Sequence, residues 1–138
     1  MLVVDASVAV LWFVPQANAD SATTVLASGL PLSAPGRLRL EAASTLLRAV
    51  RRREMDEAHA RRIIDVLIPA SVGFADDPED ERKAFGLAVA HGGSVYDGLY
   101  VALAGRLGAT LVTGDQRMHR TARAAGVKAR LLTDGPPW

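Results

Sequence analysis

The chain contains no cysteine, which excludes disulfide cross-links and thiolate metal sites and suits a reducing interior. Its longest apolar run, Val8 to Val14, falls far short of the roughly 20 residues a membrane-spanning helix needs. No basic stretch precedes the first apolar segment and no small-residue cleavage pattern follows a long apolar core, so no export signal is expected. A cytoplasmic protein that does not cross a membrane is the expectation. Internal repeats, low-complexity tracts and linkers are also lacking. With 138 residues and 49% hydrophobic content, one globular domain over residues 1–138 is the simplest reading.

What is present is a near balance of charge, 16 basic residues against 15 acidic ones. Four of the acids, argued below to share a pocket, leave eleven to face sixteen, a surface excess of about five positive charges. That excess favours polyanionic partners, although many proteins that bind no nucleic acid carry as much.

Short apolar strands alternate with helical segments. Leu2 to Val4 reads as a buried strand, Ala6 to Phe13 as a short helix stopped by Pro15, and Asp20 to Ser28 as a helix closed by Gly29. A strand around Leu32 to Ala34 leads through Pro35-Gly36 into a helix from Arg37 to Arg53, with Leu38, Ala42, Leu46, Ala49 and Val50 at helical spacing. A helix from Glu57 to Ile68, with a stripe of Ile63, Ile64, Leu67 and Ile68 and a stop at Pro69, is expected to pair with it as a hairpin. Ser71 to Ala75 is a strand candidate, and Asp76-Asp77-Pro78-Glu79 opens a helix reaching His91. Ser94 caps a helix over Val95 to Leu107, ended by Gly108. A strand at Thr110 to Thr113, a helix from Gln116 to Ala125 and a strand at Ala129 to Leu132 follow, with a peripheral tail from Asp134 to Trp138. This alternation predicts an α/β fold, a parallel sheet covered by helices on both faces.

The chemistry gathers on four carboxylates. Asp5 and Asp115 follow apolar strands, and Glu41 and Asp97 open helices, all positions that meet at one edge of a parallel sheet. Four oxygen-only side chains brought together without a local lysine or histidine repel one another unless a hard divalent cation sits among them. Each also has a bland role. Glu41 and Asp97 suit a helix dipole and Asp115 a helix cap, whereas Asp5, directly after a buried strand, has no partner near it in sequence.

The segments Val3-Val4-Asp5-Ala6-Ser7, Ala34-Pro35 with Glu41, Ser94-Val95-Tyr96-Asp97 running into Leu99-Tyr100-Val101-Ala102-Leu103-Ala104, and Leu111-Val112-Thr113-Gly114-Asp115 together resemble the PIN-domain nucleases, and within them the VapC-type toxins. The resemblance spans essentially the whole chain. It implies a PIN-like fold with Mg²⁺ or Mn²⁺ held by Asp5, Glu41, Asp97 and Asp115, and hydrolysis of RNA by metal-activated water. It implies further a cognate antitoxin protein and a homodimer. Asp5 and Asp97 are the expected principal anchors, with Glu41 and Asp115 holding the ion through water or orienting the attacking water. Ser7 and Thr113 are candidates to hydrogen-bond the strand-end acids or the metal's waters, and Arg117 to contact phosphate. By analogy with other metal nucleases, products with a 5′-phosphate and a 3′-hydroxyl are expected. The chain departs from the family pattern at Ser44, where an asparagine is frequent.

Other readings stay open at this level. The cluster Arg48, Arg51, Arg52 and Arg53 could track phosphates, or form a solvated helix end paired with Glu54, Asp56 and Glu57. His59, His91 and His119 lack metal-ligand spacing. Val8, Leu11, Trp12 and Phe13 suit either core or interface. Phosphotransfer on Asp5, as in dehalogenase-like phosphatases or receiver domains, is disfavoured because Ser7 stands where the former need a second Asp and Asp5 lacks the adjacent acid of the latter. A PIN-like RNA-processing nuclease outside a toxin system, or a module that binds RNA or protein without cutting, are the remaining alternatives.

Overall fold

Five parallel strands in the order β3-β2-β1-β4-β5 form the centre of the computed structural model, which describes residues 1–67 and 72–138. They are β1 (Leu2–Val4), β2 (Leu32–Ala34), β3 (Val72–Phe74), β4 (Thr110–Thr113) and β5 (Ala129–Leu131). The helices are α1 (Ala6–Ala9), continued by a 3-10 turn at Val10–Trp12, α2 (Ala19–Leu26), α3 (Leu38–Arg51), α4 (Glu57–Leu67), α5 (Pro78–His91), α6 (Val95–Leu107) and α7 (Gln116–Ala124). Leu2, Val3 and Val4, like Leu111, Val112 and Thr113, are all buried. Successive strand residues point to opposite faces, so both faces of the sheet are covered, as the uninterrupted apolar runs predict.

The chain builds outward from β1 to β2 and β3, then returns to place β4 on the other side of β1. The reversal makes the gap between β1 and β4, at their carboxyl ends, the switch point where an open α/β sheet forms its crevice. Because β1 pairs with β4 in the register Leu2↔Thr110, Val3↔Leu111 and Val4↔Val112, the next residue, Asp5, falls beside Thr113. α3 follows β2 directly, and α6 runs back toward the start of β4. Both helices therefore begin at the same carboxyl edge.

α5 and α6 pack closely as an antiparallel pair. Gly98 permits this approach, since a Cβ there would stand 2.7 Å from the Ala84 carbonyl oxygen. A half-buried ion pair joins them: Asp80, 1% exposed, takes three contacts of 2.7 to 3.0 Å from the Arg106 guanidinium. The hydrogen bonds that Arg106 donates to Asp80 raise the Arg106 pKa above its ordinary value.

Several expectations are corrected. Ile63 is buried in α4, but Ile64 is exposed, so the stripe of that helix is narrower than its apolar composition suggests. The expected Ile68 and Pro69, together with Ser71, lie outside the described residues, as does the side chain of Leu67. The tail is docked through its last residue: Trp138 packs against the core and donates from Nε1 to Thr24 Oγ1 at 3.0 Å. Glu57 pairs with Arg61 within α4 rather than with the arginines ending α3. Trp12 packs on the core and donates to the Ala22 carbonyl at 2.9 Å. Among the described residues no helix is long and apolar enough to cross a membrane.

Candidate active site

Two hydroxyl side chains stitch the ends of β1 and β4 together. Ser7 Oγ donates to Asp5 Oδ1 at 2.6 Å and accepts from the Gly114 amide at 2.9 Å. Thr113 Oγ1 donates to Asp5 Oδ2 at 2.6 Å and accepts from the Asp115 amide at 2.9 Å. Gly114 leaves room for this crossing, because a Cβ there would press to 3.0 Å from Ser7 Oγ. Asp5 also caps α1 by accepting from the Val8 amide at 3.1 Å.

Asp5 is thus 3% exposed and carries three hydrogen-bond donors, yet among the described residues no basic side chain pairs with it. Burial is the main force pushing its pKa from 3.8 up to about 6, with the charge of Glu41 adding to it and the bonds from Ser7, Thr113 and Val8 opposing. Glu41, in the first turn of α3, is salt-bridged to Arg37 one turn earlier and accepts from Tyr100 Oη at 3.1 Å. Tyr100 is buried, and desolvation first, then the charges of Glu41 and Asp5, raise its pKa. It therefore stays protonated and remains a donor through the physiological range.

Asp97 lies in the first turn of α6, where Ser94 Oγ accepts from its amide at 3.0 Å. Its carboxylate Oδ2 accepts from Arg117 Nη2 at 3.0 Å. Asp115 is the N-cap of α7, its Oδ1 accepting from the amides of Arg117 at 2.6 Å and Met118 at 3.1 Å. The structure therefore sets Asp5 and Glu41 close enough to feel each other's charge, and links Asp97 to the helix capped by Asp115 through Arg117. It does not close the four into one cluster: among the described residues no three Asp, Glu, His or Cys side chains stand close enough together to enclose an ion.

The donor chemistry nevertheless fits a hard cation. All four groups are carboxylates, the ligand type that selects Mg²⁺ or Mn²⁺ over softer metals. Guanidinium groups already neutralise two of them, Arg37 on Glu41 and Arg117 on Asp97, while Asp5 is desolvated with only neutral donors around it. Ser44 lines a cleft of about 260 Å³ with Arg37, Leu40, Glu41, Thr45 and Arg48, so its side chain faces the same side of α3 as Glu41. Arg37 and Tyr100, both in contact with Glu41, are not among the candidates named from sequence. Their signal is helical spacing, since Arg37 stands four residues before Glu41 and Tyr100 three after Asp97, on shared helix faces.

Comparison with known proteins bears on the family and the fold. The model of the PIN domain family matches residues 2–124. Ribonuclease VapC3 of Pyrobaculum aerophilum is 31% identical over 119 residues, which span 85% of this chain and 91% of that protein. Among solved structures, PAE2754 from Pyrobaculum aerophilum superposes with a TM-score of 0.74 at 23% identity, covering 96% of this chain and 91% of its own. VapC20 of Mycobacterium tuberculosis, described as a sarcin-ricin loop cleaving toxin, superposes with a TM-score of 0.70 at 19% identity, covering 92% and 96%. At such identities the structural likeness speaks to the fold alone. The match over nearly the whole length, together with the 31% identical relative, shows that the chain belongs to the PIN domain family.

Proposed function

We propose that this chain, acting as one domain, is a Mg²⁺- or Mn²⁺-dependent endoribonuclease and the toxin of a VapBC-type toxin–antitoxin pair. The observation that carries the reading is Asp5, a desolvated carboxylate at the switch point of the sheet, facing Glu41 and held by neutral donors alone. Such a group is costly to keep ionised at neutral pH unless a cation joins it. The relationship to ribonuclease VapC3 supports RNA as the substrate.

Within this reading the four acids divide the work. Asp5 and Asp97 are the principal anchors for the ion, with Glu41 and Asp115 completing the oxygen set or orienting the attacking water. A bound Mg²⁺ or Mn²⁺ supplies polarisation of the phosphate and a lowered pKa for the attacking water. Ser7 and Thr113 fix the Asp5 carboxylate in one orientation, and Tyr100 does the same for Glu41. Arg117, which donates to Asp97, would take a phosphate oxygen. A cytoplasmic location, a cognate antitoxin and a homodimer complete the proposal. Exposed apolar side chains, including Leu47 and Ile64 along the groove between α3 and α4 and Phe85 and Val89 on α5, give protein partners surface to cover.

The test is cleavage of an end-labelled cellular RNA pool by the purified chain with Mg²⁺ or Mn²⁺, beside EDTA and Asp97→Asn controls. Discrete products that vanish in both controls are expected. Folded, antitoxin-free protein that binds RNA in EDTA but yields no product with either metal would replace this reading with that of a non-cleaving RNA-binding module.

A further inference from the structure

Tyr96 precedes Asp97 in the first turn of α6, and it is 60% exposed. Exposed tyrosines are ordinary on a protein surface, but this ring is held. The guanidinium carbon of Arg37 lies 3.8 Å from the ring centroid, a cation–π contact at close range. The same guanidinium is salt-bridged to Glu41, which accepts from the buried Tyr100. The ring is thus backed by a planar group that is itself anchored to Glu41. With one face covered by Arg37, the exposure of Tyr96 belongs to the opposite face and the ring edge.

Resting on the ribonuclease reading, we propose that Tyr96, backed by Arg37, is a stacking platform for an unpaired nucleobase beside the scissile phosphate, and so a positioning and specificity residue for RNA. Three features carry the assignment. A flat aromatic face open to solvent is the surface on which proteins stack splayed-out bases of single-stranded RNA. The ring already packs on Arg37 across one face, so stacking on the other orders fewer side-chain atoms than stacking on a ring without a partner. It also stands next to a carboxylate whose guanidinium partner, Arg117, suits a phosphate oxygen. Base and phosphate of one nucleotide thereby find complementary groups beside the first turn of α6, Tyr96 on that turn and Arg117 reaching it from α7. An aliphatic side chain from a protein partner would gain less here, since the ring is backed by a charged group tied to another charge rather than by an apolar wall.

The test separates base from backbone. Binding is measured in EDTA, where cleavage is off, for a labelled single-stranded RNA oligomer of mixed sequence and for an abasic ribose-phosphate oligomer of the same length. Tyr96→Ala is expected to weaken binding of the RNA about tenfold or more while leaving the abasic oligomer unchanged. Tyr96→Phe and Tyr96→Trp should retain wild-type affinity, and Tyr96→Leu should behave as the alanine variant. The added tryptophan fluorescence of Tyr96→Trp should be quenched by RNA and not by the abasic oligomer. Equal losses on both oligomers, or none on either, would overturn the platform. So would a change in oligomeric state of Tyr96→Ala, read by light scattering, with RNA affinity unaltered, which would assign the ring to a protein interface. In either case wild-type cleavage of RNA would leave the ribonuclease reading standing. If the wild-type chain neither binds nor cleaves RNA, both fall together.

Discussion

Thr113 Oγ1 donates a 2.6 Å hydrogen bond to Asp5 Oδ2 across 108 residues of sequence, joining the carboxyl ends of two adjacent strands. The same hydroxyl accepts from the Asp115 amide, so one buried oxygen orients one candidate ligand and the backbone of another. Thr113→Val keeps the shape and removes both bonds. Cleavage of RNA should fall about 10- to 100-fold, the usual cost of losing a group that orients a metal ligand. Single-turnover kinetics with circular dichroism would check it. Undiminished cleavage by folded Thr113→Val would remove Thr113 from the site.

Burial of Asp5 sets a pH dependence. Its pKa in the folded chain, about 6, lies above the ordinary 3.8, so folding favours the protonated form. The stability it contributes is fully present below about pH 4 and is lost as pH rises through 6. In EDTA, Asp5→Asn should therefore gain on the wild type as pH rises from 5 to 7.5, by about 1–1.5 kcal/mol, the rest of the loss falling between about pH 4 and 5. Thermal melts across that range decide the matter: parallel profiles would mean that Asp5 ionises freely in the fold. Added Mn²⁺ should raise the wild-type melting temperature at pH 7.5 and leave Asp5→Asn nearly unmoved.

Two glycines on the α5–α6 pair should respond in opposite directions. A Cβ at Gly98 meets the backbone of Ala84 at 2.7 Å, whereas one at Gly86 meets nothing within 4 Å. Gly98→Ala forces the helices apart and should cost about 1–3 kcal/mol. Gly86→Ala adds helix propensity at an open position and should stabilise by about 0.5–1 kcal/mol. Urea denaturation of both variants would settle the sign of each, and a neutral Gly98→Ala would mean the helix pair shifts without cost.

Local signals made much of this fold legible. Ser94 and Gly108 bound α6 as a cap and a left-handed stop should, and the unbroken apolar triplets of β1 and β4 mark strands buried on both faces. Strand order was not legible, because nothing local to Leu2–Val4 tells that β4 returns to its far side. The tail escaped for a similar reason: Trp138 finds Thr24, 114 residues away, through tertiary packing that no periodicity encodes. At the site, the four acids were visible as strand-end and helix-start residues. What surrounds them depends on side chains meeting across elements, such as Tyr100 on Glu41 and Arg117 on Asp97. Of the readings open for Arg48, Arg51, Arg52 and Arg53, an ion pair with Glu57 gives way to a solvated helix end, because helical spacing offers Glu57 a partner, Arg61, one turn on within its own helix.

Arg117 poses the sharpest question about the carboxylates, since its Nη2 lies 3.0 Å from Asp97 Oδ2 at an exposed position. A guanidinium and a divalent cation compete for one carboxylate, and the cation is also repelled by the guanidinium. Near water such charges interact by about 1 kcal/mol at 4 Å, so Arg117→Ala should tighten Mn²⁺ binding by about two- to fivefold. The same change removes the proposed phosphate contact, so KM for RNA should rise more than kcat falls when Mn²⁺ is saturating. Electron paramagnetic titration of free Mn²⁺ and steady-state cleavage read the two effects separately. Weaker Mn²⁺ binding in Arg117→Ala would mean that the guanidinium holds Asp97 in its binding position rather than competing for it. An unchanged KM would remove Arg117 from the RNA surface whatever the metal result.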